Sequence, residues 1–158
     1  MGCTVRLSPG PLAPDAELRD FLQIVAGKGA IVNFVGVARP VSQAGLPLTG
    51  LYLDHYPGLT ERTLAGIAAS ACALFPVEDV VIAHRCGLVE PEQPIVFVGA
   101  AAMHRRAAFL AADYLMDRLK TDAGFWKRED DASGSHWIEP TGHDRQDRER
   151  WSQPHAGN

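Results

Sequence analysis

Apolar and polar positions change period several times along this chain, and each change predicts an element. Residues 3 to 7, CTVRL, alternate as a strand does, and SPGPLAP then stops the run with three prolines and a glycine. DAELRDFLQIVA, residues 15 to 26, places Leu18, Phe21, Leu22 and Val25 at helical spacing, with Gly27 and Gly29 to end it. AIVNFVGVA, residues 30 to 38, is β-branched and apolar and reads as a buried strand that delivers Arg39 at its end. LTGLYLDHY, residues 48 to 56, reads as an adjacent strand. Pro57 and Gly58 make a turn, and Thr60 stands where it would cap the helix that follows at about 61 to 75.

The second half repeats the alternation. EDVVIAHRCG, residues 78 to 87, and IVFVGAAA, residues 95 to 102, read as strands separated by the acidic turn VEPEQP. The longest helix is predicted over about 104 to 120, with Ala108, Ala112, Leu115 and Leu119 on one buried stripe flanked by Phe109 and Met116. GFWKRED, residues 124 to 130, reads as an amphipathic surface turn whose aromatics reach the core while its cations face water. Strands joined by short links alongside helices favour a layered α+β sandwich over a doubly wound sheet. Residues 1 to 140 read as one domain, and the polar, proline-bounded stretch 141 to 158 as a peripheral or partner-contacting tail that Trp151 would anchor.

Composition narrows the possible functions. A chain of 158 residues is long enough to bury about two-thirds of its extended surface without staples. Its formal net charge of -4 does not advertise nucleic-acid binding, although it leaves room for a local basic site. Cys3, Cys72 and Cys86 lack a metal-ligand spacing, and an odd count argues against a closed disulfide framework, so a reducing compartment is the simpler expectation. No signal-type leader or membrane-length apolar segment stands out, which predicts a cytoplasmic protein. Metal, P-loop, dinucleotide and serine-hydrolase patterns are all missing from the sequence.

What remains is cationic. His104, Arg105 and Arg106 fall at the start of the long helix, where positive charge opposes the helix dipole by roughly 0.3–1 kcal/mol per charge. A bound phosphate or carboxylate would offset that cost through free amides and the arginine fork. The plainer reading sends each arginine to solvent or an acidic neighbour, and makes His104 a cap or a packed polar residue. Arg39 equally marks a simple return to solvent, and Lys120 suits a helix C-terminus without any function. Lys127 is more pointed: if Phe125 and Trp126 hold its stem against an apolar wall and cations lie near, its ammonium form would be disfavoured. Arg39, His104, Arg105, Lys120 and Lys127 together make a candidate anion site.

Several motifs in order, NFVGVAR, LDHYPGLTE, HRCG, IVFVG, HRRAAF, YLMDRLKTDAGFWKRE and Trp137 followed by Ile138 and Glu139, resemble the large, catalytic subunit family of molybdopterin synthase. The match covers roughly residues 30 to 139. The resemblance implies an α/β hammerhead fold and a cytosolic sulfurtransferase that acts on cyclic pyranopterin monophosphate without metal or cofactor. Its implied partners are a small ubiquitin-like sulfur carrier ending in a Gly-Gly thiocarboxylate and a second large subunit, giving a heterotetramer around a homodimer. Carried over by position, Lys120 and Lys127 are the implied catalytic lysines, and Arg39, His104 and Arg105 join them in binding substrate. Arg128 and Glu129 continue the motif as supporting residues, and Arg106 has no assumed catalytic part.

One departure concerns Thr141, where some family members carry an anion-contacting arginine; Arg145, Arg148 and Arg150 are the nearby substitutes. In the implied reaction the cations hold phosphate and carboxylate groups while the thiocarboxylate sulfur attacks the pterin side chain. A different class of function, a noncatalytic scaffold gripping a carrier's acidic tail, predicts carrier binding without turnover.

Overall fold

A computed structural model describes residues 2 to 152, and the last six residues of the expected tail lie outside it. Two four-stranded sheets organise the chain. The first has the order β1-β4-β6-β2, formed by Gly2–Ser8, Asp79–Arg85, Pro94–Ala102 and Ala30–Val37. The second has the order β5-β3-β7-β8, formed by Gly87–Val89, Leu48–Asp54, Trp126–Asp131 and Gly134–Ile138. The helices are α1 (Pro14–Ile24), α2 (Leu59–Leu74), α3 (Arg105–Asp122) and α4 (Gly142–Glu149), followed by a single 3-10 turn at Arg150–Ser152. This is the expected mixed α+β class.

Strand alternation explains why the first sheet is covered on both faces. Val80, Ile82, Val96, Val98, Ala100 and Ala102 point one way, into a core with Leu64, Ile67, Ala68 and Ala71 of α2 and Ala108, Ala111, Ala112 and Leu115 of α3. The alternate residues Val81, Ala83, Phe97 and Ala101 point the other way, against Phe21 and Val25 at the end of α1. The alanines let two helices approach the sheet closely. Gly99 does the same on the opposite face, where a Cβ would stand 2.8 Å from both the Phe21 ring and Val81.

Several local expectations change. Among the described residues β2 is an edge strand, paired only with β6, and leaves Phe34 and Val37 exposed rather than buried. Its expected neighbour β3 lies in the other sheet. Gly58, not Thr60, is the N-cap of α2; Thr60 sits inside the first turn and its hydroxyl accepts the Tyr56 amide at 3.0 Å. Residues 126 to 131 form a central strand instead of a surface turn, and β8 beside it was not predicted.

Residues 141 to 152 fold back onto α3. Arg148 Nε donates to Asp122 at 2.9 Å, Trp151 Nε1 donates to Asp117 at 2.6 Å, and the Trp151 ring meets Tyr114 and Phe75 edge-on at 5.4 and 5.6 Å. The anchoring role expected of Trp151 is therefore realised. Because Arg150 and Trp151 reach Asp113 and Asp117 while the earlier Arg148 reaches Asp122, α4 runs antiparallel to α3.

Candidate functional site

Lys127 is placed by its strand. β7 is internal to the second sheet, and Lys127 pairs in register with Leu53 of β3 on one side and Ile138 of β8 on the other. Alternation puts Lys127 and Glu129 on one face, opposite the buried Leu53 and Leu51, and Arg128 on the other. The chain reaches this strand from α3 through Gly124, whose φ of +77° is the left-handed geometry that ends a helix. Phe125 follows immediately and packs against both the helix-side core and the cluster of Leu51, Leu53 and Val89. The strand carrying Lys127 is thus fixed at the seam between the two sheets.

Burial and neighbouring charge lower the Lys127 ammonium to about 8. Burial is the largest cause and Lys120 the next; Arg39 acts in the same direction, while Asp144 and Glu129 oppose them. Three of the expected cations, Lys120, Lys127 and Arg39, therefore share one electrostatic neighbourhood. Lys120 stands exposed in the last turn of α3, and Arg39 is exposed just after β2. Glu129 is engaged by the loop after β2, its carboxylate accepting the Gln43 amide at 2.8 Å.

The other expected residues lie elsewhere. His104 is the N-cap residue of α3, with extended backbone and no side-chain capping bond, and Arg105 and Arg106 are exposed in a first turn that has no acidic residue. From His104 to Lys120 the helix advances by about 24 Å at ~1.5 Å per residue. A single chain does not bring the His104–Arg105 pair to the lysines. Arg128 is occupied on the far face of β7, donating to Asp130 at 2.9 and 3.2 Å and lying over the Tyr52 and Trp137 rings at 4.8 and 5.8 Å.

Two residues not singled out in the sequence belong to this neighbourhood. His84, at the end of β4, is buried and stacks on Phe125 with ring centroids 4.1 Å apart and planes 17° apart. Its Nδ1 lies 2.7 Å from the Arg85 carbonyl, an arrangement that requires Nδ1 to carry the proton. Burial first, and then Lys127 and Lys120, push the ring down to about 4 against that hydrogen bond, so it is neutral at pH 7. The second residue is Asp144 of α4. Burial pushes its carboxyl up, but bonds from Thr141 and the charges of Lys120 and Lys127 hold it below the ordinary value. The only sequence signal for Asp144 is its place three residues after Thr141 in a capping-box pattern.

Chemically, the site joins a buried lysine of lowered basicity to two exposed cations beside an apolar seam, suited to negative charge on a small group. Among the described residues no cluster of three or more histidine, cysteine or acidic side chains is arranged to hold a metal.

Comparison with known proteins identifies the family to which this fold belongs. Residues 8–122 match the family model described as MoaE protein. The chain is 43% identical to the molybdopterin synthase catalytic subunit of Pseudomonas aeruginosa over 94% of its own length and 99% of the relative. It is 44% identical to that of Caulobacter vibrioides, over 94% and 97%. Among solved structures, the molybdopterin biosynthesis MoaE protein of Burkholderia ambifaria superposes with a TM-score of 0.81 at 35% identity, covering 97% of this chain and all of that one. The molybdopterin synthase of Staphylococcus aureus does so with 0.75 at 25% identity, over 84% and 94%. The fold is that of proteins named for molybdopterin synthesis. The chain belongs to the MoaE family.

Proposed function

We infer that this chain is the catalytic subunit of a molybdopterin synthase, a sulfurtransferase of molybdenum-cofactor biosynthesis. It transfers sulfur from the C-terminal thiocarboxylate of a small carrier subunit to cyclic pyranopterin monophosphate and forms the dithiolene of molybdopterin. The observation that carries the reading is Lys127, lowered to about 8 on an internal strand with Lys120 and Arg39 in its field. A positively charged pair held beside apolar walls orients a thiocarboxylate and stabilises the negative charge that develops as sulfur attacks the pterin side chain. Near neutral pH a minority of Lys127 is neutral amine, so the same residue can accept a proton during opening of the cyclic phosphate or hydrolysis of the acyl intermediate. The thiocarboxylate already supplies the nucleophile.

The helix that separates His104 from Lys120 supports a composite site. In the homodimer at the centre of the heterotetramer, His104 and Arg105 of one copy clamp the substrate phosphate beside Lys120, Lys127 and Arg39 of the other. Exposed Phe34 and Val37 on the edge strand and Met103, Phe109 and Leu110 at the α3 N-terminus supply the apolar surface such a pairing needs. No helix among the described residues is long and apolar enough to cross a membrane, and the proposed location is the cytoplasm.

The deciding experiment is mass-resolved conversion of the cyclic pterin phosphate by this protein with a thiocarboxylated carrier. Addition of two sulfurs with loss of the carrier thiocarboxylate is the expected result. Carrier binding without that change, in an assay where a known synthase turns over, would overturn the catalytic reading in favour of a scaffold.

A further inference from the structure

The C-terminal segment leaves β8 beside Lys127 and docks on the end of α3. Ile138 is the register partner of Lys127, so the chain leaves β8 directly beside that lysine. Pro140 ends the strand, and Thr141 opens α4 with a reciprocal cap: Asp144 N donates to Thr141 Oγ1 at 3.1 Å, and Thr141 N donates to Asp144 Oδ2 at 2.9 Å. Asp144 and Arg148 are the half-buried residues of α4 while its remaining residues are exposed, and four residues apart they share one face. Arg148 grips Asp122 at the end of α3. Since α4 runs antiparallel to α3, Asp144 one turn earlier lies past the end of α3, toward the start of β7 and Lys127.

We propose that Asp144 is a positioning residue of the lysine pair, the carboxylate against which the ammonium groups of Lys120 and Lys127 are set when α4 docks on α3. The inference rests on the synthase reading for its functional meaning. The groups acting on Lys127 are Lys120 from α3, Arg39 after β2, Glu129 on β7 and Asp144 from α4, with the neutral His84 of β4 close by. Glu129 also faces this site, but its carboxylate is engaged by Gln43. Asp144 is the acidic group whose presence depends on the docking of α4. It keeps Lys127 more fully protonated than burial and two neighbouring cations alone would allow, and it directs the ammonium groups toward one spot.

The test separates charge from cap. Asp144→Asn keeps an oxygen that accepts the Thr141 amide and removes the charge; Asp144→Glu restores it; Asp147→Asn makes the same charge change at an exposed position of α4. Lys127 protonation is read as the pH dependence of its labelling by acetic anhydride, by peptide mass spectrometry on the full chain. The labelling midpoint should fall by roughly half a pH unit or more in Asp144→Asn. It should return toward the parent in Asp144→Glu and stay parental in Asp147→Asn. The limb of the pH–rate profile that belongs to Lys127 should move the same way. A parental midpoint in Asp144→Asn would overturn the inference, as would an equal displacement in Asp144→Glu, which would mark disruption of the turn. Labelling needs no turnover, so an inactive parent protein would sink the synthase reading and still leave Asp144 decided.

Discussion

The imidazole of His84 lies flat against the ring of Phe125, 4.1 Å away, and ties the end of β4 to the residue two before Lys127. Protonating that ring would place a cation in a buried site beside two lysines. The folded-state value, about 4, lies below the ordinary 6.5, so between these values the unfolded chain binds more protons than the folded one. His84 therefore contributes stability that is present above about pH 6.5 and is lost as pH falls toward 4. Denaturant unfolding of His84→Phe, which keeps a stacking ring, should show a flatter pH dependence across this window than the parent. Superimposable profiles would show that His84 is not the group responsible.

The same accounting for Lys127 gives an opposite trade between stability and function. Its folded-state value near 8 is below the ordinary 10.5, so its charged form opposes folding fully below pH 8, and stability rises with pH between the two. Lys127→Met keeps the apolar stem and removes that cost. It should stabilise the protein at neutral pH by about 1–2 kcal/mol, less than the full shift implies because water reaches part of the side chain. It should also reduce product formation by at least ~100-fold, the scale for losing a positioned charge or proton-transfer group. Destabilisation by Lys127→Met, measured by urea unfolding at pH 7, would return Lys127 to a structural part.

Arg128 carries a different expectation although it follows Lys127 directly. Its guanidinium is held by Asp130, Tyr52 and Trp137 on the opposite face of β7. Arg128→Ala should lower stability only slightly, as expected of a solvent-screened ion pair with ring contacts, and change kcat by less than about threefold. A loss of activity as large as that of Lys127→Met would require Arg128 to face a site supplied by another subunit.

These contrasts show what was readable in the residues and what was not. Long periodic segments such as α3 and the apolar run of β6 were plain, because one face or both must be buried over many residues. GFWKRED reads locally as a turn because four of its seven residues are charged; its strand character comes from pairing with β3 and β8, a long-range fact without local period. The exposure of β2 was equally hidden, since an apolar edge strand and a central one have the same composition. Lys120 and Arg39, far apart in the sequence, both act on Lys127. His104 and Arg105 stand apart because helix length, rather than the order of motifs, sets their distance. Asp144 lies in a polar stretch without apolar period, whose docking depends on Arg148, Arg150 and Trp151 finding acids on α3.

That docking supplies another prediction. Trp151 packs on Tyr114 and Phe75 and donates to Asp117, while Arg150 donates to the same carboxylate. Trp151→Ala should destabilise the protein by roughly 2–3 kcal/mol, from lost ring burial and a weakened hold on a largely buried acid. It should also speed proteolysis within 141 to 152 ahead of the rest of the chain. Global and local protection that both match the parent would show that the segment is held by other contacts.

The separation of His104 and Arg105 from the lysines leads to a test by mixing two inactive proteins. In the proposed composite site Lys127→Ala removes the lysine half and Arg105→Ala the phosphate half, so each homodimer is expected to be defective at both of its sites. In a mixed dimer, the Lys127 of one chain meets the Arg105 of the other at one site, and the second site lacks both. If co-expression assorts the chains randomly, half the dimers are mixed and each has one intact site, so activity should recover to about one quarter of the parent level. Rates are measured with saturating thiocarboxylated carrier, against the separately expressed variants. Failure to recover, with mixed dimers verified by native mass spectrometry, would place both halves within one chain and demand a conformation in which the two ends of α3 serve different functions.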